Sequence, residues 1–530
     1  MSASPSSRRR VHSRRLVRRG AALPAGLLVA GLLAAGLLLF TPACDITSVN
    51  DDPTKANTID PAPLFTRGLL YASLRYDVYQ RSQHLFGNLY AQYFSNLVPS
   101  FPTGRYEAGG TYDDWATSFW SASYGAYGGG ANVGENVSNF GTNTQQVIDL
   151  TEDEPKRVNQ TAQARIWKVF ILHRVTDWWG SVPYFEAYSG NPRPAYDSQE
   201  AIYRDMLATL DSAAAALDPS ITADAFRFGE ADVLYNDDLE KWQRFAQSLR
   251  LRLAMRTSEV APELARRHAQ DAVERGVMQS NDQSARMPMF DTGEFVNQNP
   301  LGIIQSFDDD RVSEKMVSTL KTHDDPRLPV YADTIFNAPR DTVAFRGLPN
   351  GLSSARLSQI RSINYSRVGS RFRQSDFPVP ILLQPEVRFL RAEAALRGFT
   401  SESAQEQYEK GIRASLEMYG ITDEAQVQAY LDEDGVAWEE GDSDDEKLEK
   451  IIRQKWLAIF TQGNEAWATY RRTGYPELLP IPSDGNTGGE VPSRILYISE
   501  EYNLNEENVT EAAQRIGGDQ MTTNVWWDVN

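Results

Sequence analysis

The chain has 530 residues, 71 Asp and Glu against 53 Lys and Arg for a net charge of −18, 11% aromatic residues and a single cysteine. So acidic a surface repels phosphate backbones, which excludes a basic-groove nucleic-acid function, and a lone cysteine excludes an internal disulfide framework. No Ser/Gly/Pro-rich linker cuts the sequence, so a single domain over 44–530 is expected behind a leader at 1–43.

Residues 1–43 read as a targeting segment. Seven arginines between Arg8 and Arg19 form a basic region, and the uncharged apolar run 21–40 follows it. Cys44, directly after Ala43, is then expected to carry lipid, with palmitate among its acyl chains. The segment resembles a bacterial lipoprotein signal, although Thr41 stands where leucine is usual. An uncleaved anchor is the alternative, because about 20 apolar residues can span a bilayer. Lipid anchoring needs no span, and no later apolar run is long enough to supply one. Loss of the seven arginines takes Lys and Arg from 53 to 46 against 71 acidic residues, a net charge near −25.

Helical periodicity then recurs in pairs, at 62–79, 83–97, 157–176, 199–217, 238–256, 261–275, 385–397, 404–419 and 447–476. The expected fold is all-α, a stack of tetratricopeptide-like helical hairpins with long irregular loops forming a ligand face. In 238–256, Trp242, Phe245, Ala246, Leu249 and Leu253 form an apolar stripe, and Arg244, Arg250 and Arg252 lie off it. At 404–411, Ala404, Tyr408 and Gly411 fit the second-helix pattern of such repeats, and Ala392 supplies a small residue in the preceding helix. The aspartate cluster Asp442–Asp445 lacks the glycine and the spacing of a calcium loop and reads as a solvated linker.

The clearest pair is 447–476. Leu448, Ile451, Ile452, Trp456, Ile459 and Phe460 line one helical face. Gly463 is expected to reverse the chain into a second helix carrying Trp467 and Tyr470, which Gly474 and Pro476 end. The wording of this stretch, Gln454-Lys455-Trp456 through Glu465-Ala466-Trp467 to Arg471-Arg472-Thr473-Gly474-Tyr475-Pro476, resembles the SusD/RagB family of outer-membrane nutrient-binding lipoproteins. Trp242 to Ala254 is similar to another family helix, with Gln247 in place of the usual asparagine. Asp177 to Tyr184 resembles a family helix exit, in which Gly180 can cap and Pro183 stops the helix. Pro492 to Tyr497 with Asn503, and Thr522 to Asp528, look like closing segments. The resemblance implies a surface-exposed solute-binding subunit that captures an oligosaccharide or peptide and delivers it to a SusC-like TonB-dependent outer-membrane β-barrel.

Catalytic constellations are missing from the sequence. The histidines His12, His84, His173, His268 and His323 have no H-x-x-x-H spacing, and there is no nucleophile elbow, P-loop or dinucleotide fingerprint. No cofactor, metal or catalytic residue is therefore assigned. Acid pairs at glycosidase spacing are not readable from sequence, so an exported α-helical glycan-degrading enzyme stays open, as does an envelope scaffold of helical repeats.

Aromatic side chains outside the expected helices are the ligand candidates, because flat rings cover sugar or peptide faces at little entropic cost. Tyr106, Tyr112, Trp115 and Trp120 lie in and just after the Pro/Gly-rich stretch 99–110. Phe290, Phe295, Asn297 and Phe307 lie in the irregular stretch 287–310, Asn297 as an amide that can orient a hydroxyl.

Overall fold

Sequence-adjacent helices pack side by side through most of this computed structural model, which describes residues 59–529 apart from 75, 126–139, 293–296, 337–343 and 483–484. The leader, Cys44 and Phe295 lie outside the described residues. Asp60–Asn530 forms one body.

The first part contains α1 (Pro61–Leu74), α2 (Tyr76–Tyr79), a π-helix (Gln80–Asn88), β1 (Phe94–Asn96), α3 (Tyr112–Tyr124) and α4 (Phe140–Thr151). It continues through α5 (Val158–Trp179), α6 (Gln199–Ala216), α7 (Leu239–Arg256) and α8 (Pro262–Arg275). Helices α4 to α8 each pack on the next. A less regular middle follows, with β2 (Ala285–Met287), α9 (Pro300–Gln305), β3 (Asp310–Val312), α10 (Glu314–Thr322) and β4 (Val379–Leu382). The antiparallel pairs β1–β3 and β2–β4 are the only sheets among the described residues, and both are two-stranded. The last part holds α11 (Gln384–Leu396), α12 (Ala404–Met418), α13 (Glu424–Leu431), α14 (Asp444–Ala458), α15 (Gly463–Thr473) and α16 (Glu506–Arg515).

The α11–α12 hairpin follows its repeat-like pattern for a steric reason. A Cβ on Gly411 would stand 2.7 Å from the Phe389 ring, and Ala392 is fully buried, so small residues set how closely the helices approach. The acidic linker expected around 442–446 is in part the start of α14. Ser443 and Glu446 form a reciprocal capping box, and Asp442 pairs with Lys450 at 2.5 Å.

Helices α14 and α15 do not form the mutual hairpin that the sequence predicts. Helix α14 packs chiefly on α11 and α12, whereas α15 packs on the π-helix. Gly463 is not the reversal point either: the positive φ belongs to Thr461, at 78°. Gly463 is glycine because a Cβ there would collide with the backbone of Asn88, whose side chain accepts the Gly463 N–H at 3.0 Å. Gly474, at φ 74°, does cap α15 as expected.

The arginines of α7 also depart from expectation. Arg250 and Arg252 are buried, not off the protected stripe, because α7 is covered by α6, α8, α11 and β4. Arg252 pairs with Glu386, Arg256 with Glu465 at 2.5 Å, and Lys455 with Glu465 at 2.8 Å. Arg472 grips Glu393 at 2.6 and 2.7 Å. Trp456 and Trp467 donate their indole N–H groups to the Ala91 and Pro492 carbonyls. The wording of 454–472 is therefore that of a buried ionic and hydrogen-bonded joint.

Candidate functional site

Four of the expected ligand residues belong to the core. Tyr112, Trp115 and Trp120 lie on α3 instead of a loop, and Tyr106 precedes it; their exposures are 2%, 8%, 1% and 1%. Trp115 meets Phe86 and Phe101 edge-on, Trp120 meets Trp179 edge-on, and Tyr106 meets Tyr90. The Tyr106 hydroxyl accepts from Gln92, and that of Tyr112 accepts from the Leu496 N–H at 3.2 Å. Burial raises both tyrosine hydroxyls well above their ordinary pKa. The missed signal was present: Tyr112, Trp115, Ala116, Phe119 and Trp120 recur at i, i+3, i+4, i+7 and i+8, a helical stripe next to a Pro/Gly-rich stretch. These buried side chains pack within the scaffold.

The second group is placed differently. Phe290 and Asn297 pair through both main-chain bonds, at 2.9 and 2.8 Å, as an isolated antiparallel bridge. Phe290 is 41% exposed and Phe307 47%, while Asn297 is half-buried with its amide near the Met289 sulfur. Asn299, just before α9, anchors the chain next to this bridge. Its side chain accepts from Leu301 N–H and donates to the carbonyls of Phe372 and Gln374, and its own N–H donates to that of Ser375. Ser375 in turn donates to Asp291 at 2.7 Å.

Helix α9 is thus a short rigid post with exposed rings around it. It packs on α2, which presents Tyr76 at 45% exposure, and on the segment Ser370–Arg373. Arg373 pairs with Asp333 on the segment that leads to Phe336, a side chain 86% exposed. Of the five exposed large aromatics among the described residues, only Phe185 lies away from these elements.

The post is tied to the core through its far end. Gln305 donates to both oxygens of Asp310 at 2.7 and 2.9 Å, and Asp310 holds His84 at 2.7 Å on the π-helix. Next to Phe307, Asp308 pairs with Arg311 at 2.9 Å and lies 3.7 Å from Arg367. A groove of about 580 Å³ lies along the adjoining loop, lined by Arg105, Glu107, Ser353, Ser354 and Arg356. The loop is joined to the post by the Leu97 N–H on the Asp309 carbonyl at 2.7 Å and to the groove by Ser354 on the Pro99 carbonyl at 2.8 Å. Exposed ring faces next to paired charges and hydroxyls suit a polyhydroxylated ligand. No cluster among the described residues could hold a metal ion, and no described helix is long and apolar enough to cross a membrane.

A family model described as starch-binding associating with outer membrane matches residues 53–498. The chain belongs to the SusD-like family. Among solved structures, this SusD-like chain is similar to a chitin-binding protein at 31% identity and TM-score 0.77, over 89% of this chain and 100% of that one. It is similar to a chitin-binding SusD homologue from Flavobacterium johnsoniae at 32% identity and TM-score 0.75, over 88% and 98% of the two chains. A SusD homologue from Bacteroides uniformis follows at 30% identity and TM-score 0.76, over 89% and 99%. No curated protein matches. The SusD-like fold is the helical, tetratricopeptide-like architecture expected, the family is associated with the outer membrane, and this SusD-like chain is a binding protein, not an enzyme.

Proposed function

We propose that this protein captures chitin-type oligosaccharides at the aromatic platform around α9 and hands them to a SusC-like TonB-dependent β-barrel, while lipid on Cys44 holds it at the cell surface. The observation that carries the reading is the gathering of Tyr76, Phe290, Phe307 and Phe336 on elements pinned around one post. Two relatives named as chitin-binding, at 31% and 32% identity, support the choice of glycan. Asn297, bridged to Phe290, is included in the site, and Phe295 is kept as a candidate on its sequence position alone. Ring stacking with few polar contacts gives modest affinity, which suits release into a transporter.

Calorimetry with chitohexaose, cellohexaose and maltoheptaose tests the platform. Preference for chitohexaose, lost in the Phe290→Ala, Phe307→Ala double variant with its fold intact, is the expected outcome. Unchanged binding by the variant removes the platform, and binding of oligopeptides with no glycan replaces the ligand class. Lipidation is read from the mass of the purified chain, which should lose its acyl groups in Cys44→Ser. The partner is read from gently solubilised outer membranes, where a large TonB-dependent barrel should co-purify.

A further inference from the structure

Away from the platform, a pocket of about 50 Å³ lies where α5, the π-helix, β4 and the start of α15 meet. Its walls include Gln83, Arg174, Arg252, Gln462, Asn464 and Glu465. The surrounding charges are nearly matched. Arg252 has Glu386, Arg256 and Lys455 share Glu465, and Arg256 stands 3.8 Å from Asp177. Arg174 is the cation left over. Its Nη1 donates to the Ala72 carbonyl at 2.7 Å, and its guanidinium lies 5.4 Å from the ring centres of both Phe119 and Phe170. No carboxylate among the described residues pairs with it.

The walls also carry unused donors. Asn464 Oδ1 accepts from the Trp178 indole at 3.1 Å, which fixes the amide and leaves Nδ2 as a donor without a partner. Gln462 Nε2 has none either, and both side chains are at least nine-tenths buried. The two acids that line the pocket are already engaged. Glu465 is held by Arg256, Lys455 and Thr469, and Asp177 Oδ1 accepts from Tyr203 and Trp527. His173, also in the wall, is kept neutral by burial and by Arg252. Burial, followed by the neighbouring Arg252, lowers the Arg174 guanidinium to about 10, in keeping with a cation that lacks its counter-charge. The N-terminus of the eleven-residue α15 adds positive potential.

We propose that this pocket binds one small monovalent anion of chloride size, held by Arg174 with the amide donors of Gln462 and Asn464. A water molecule would satisfy the amides and leave the part-buried guanidinium without a counter-charge; an anion satisfies both. Because its walls come from α5, the π-helix, β4 and α15, the bound anion fastens the platform's supporting π-helix to the buried joint. Folding stability is then linked to halide concentration.

The test uses the full chain in sodium chloride and in sodium gluconate at equal ionic strength. Chloride at a hundredfold excess over its Kd is expected to raise Tm by about 3 °C, an increment absent in Arg174→Met. Crystals grown in bromide should show an anomalous peak beside Arg174. If Arg174→Met fails to fold, Gln462→Leu replaces it and should reduce the chloride increment. Equal Tm in the two salts, an increment that survives in both variants, or bromide crystals with only water in the pocket would overturn the proposal.

Discussion

Arg252 and Glu386 meet in a two-pronged ion pair, Nε to Oε1 at 2.8 Å and Nη2 to Oε2 at 2.7 Å, with both side chains withdrawn from solvent. The pair joins α7 to α11, and so couples the earlier run of stacked helices to the later one. Glu386 lies 3.8 Å from Lys455 and Arg252 lies 3.6 Å from Glu465, so each partner leans on a second opposite charge. Removing one member strands a buried charge, whereas removing both does not. Arg252→Met is expected to cost about 3–5 kcal/mol in urea denaturation, and the double variant Arg252→Met, Glu386→Leu much less than the sum of the two single losses. Simple additivity would show that the two side chains are not coupled.

Gly463→Ala places a methyl group against the Asn88 backbone, where neither chain can give way cheaply. A loss of about 3 kcal/mol is expected, with the glycan site weakened in parallel because the π-helix also carries His84, the anchor of the α9 post. A Gly474→Ala control, where no atom lies within 4 Å, should lose only the strain of its positive φ, about 1 kcal/mol.

The aromatic residues divide by burial. Trp120→Ala should cost about 3–5 kcal/mol of stability by opening a cavity against Trp179. Phe307→Ala should stay within about 0.5 kcal/mol of the parent in stability while weakening chitohexaose about tenfold. Thermal melts and calorimetry on the same samples read both quantities.

Part of the acid sensitivity should come from Glu393. Burial alone would raise its carboxyl, but Arg472 and Arg397 outweigh that and hold it at about 2, below the ordinary value of 4.5. A carboxyl depressed on folding adds stability that is complete above about pH 4.5 and is lost as pH falls toward 2. The contribution is about 3 kcal/mol, and stability measured from pH 5 to pH 2 should fall by an amount of that order from this group. In Glu393→Gln that part of the slope should vanish, although the variant starts less stable because Arg472 and Arg397 both lose a carboxylate.

Helices with one protected face were legible because burial writes itself as a 3.6-residue period. The α11–α12 hairpin could be read from Ala392, Tyr408 and Gly411, and α7 from Trp242, Phe245, Leu249 and Leu253. Helix α5 was read over 157–176 among the periodic segments, with Gly180 as its exit, although it is covered on nearly every side. The α3 stripe was present as well, but the prolines and glycines before it pointed to a loop. Phe290 and Phe307 were correctly placed outside regular helices, yet nothing local distinguishes an exposed ring from a buried one.

By itself the sequence determined the acidic composition, the helical class and the family motif, because each is a property of composition, period or wording along the chain. Only the tertiary structure decided which charges are buried, which glycines mark backbone crossings and which aromatics face solvent. Those depend on partners outside the local helix, 375, 134 and 25 residues along the chain: Gly463 on Asn88, Arg252 on Glu386, and Trp467 on the carbonyl of Pro492. Local periodicity records that a face is covered; what covers it is settled by packing.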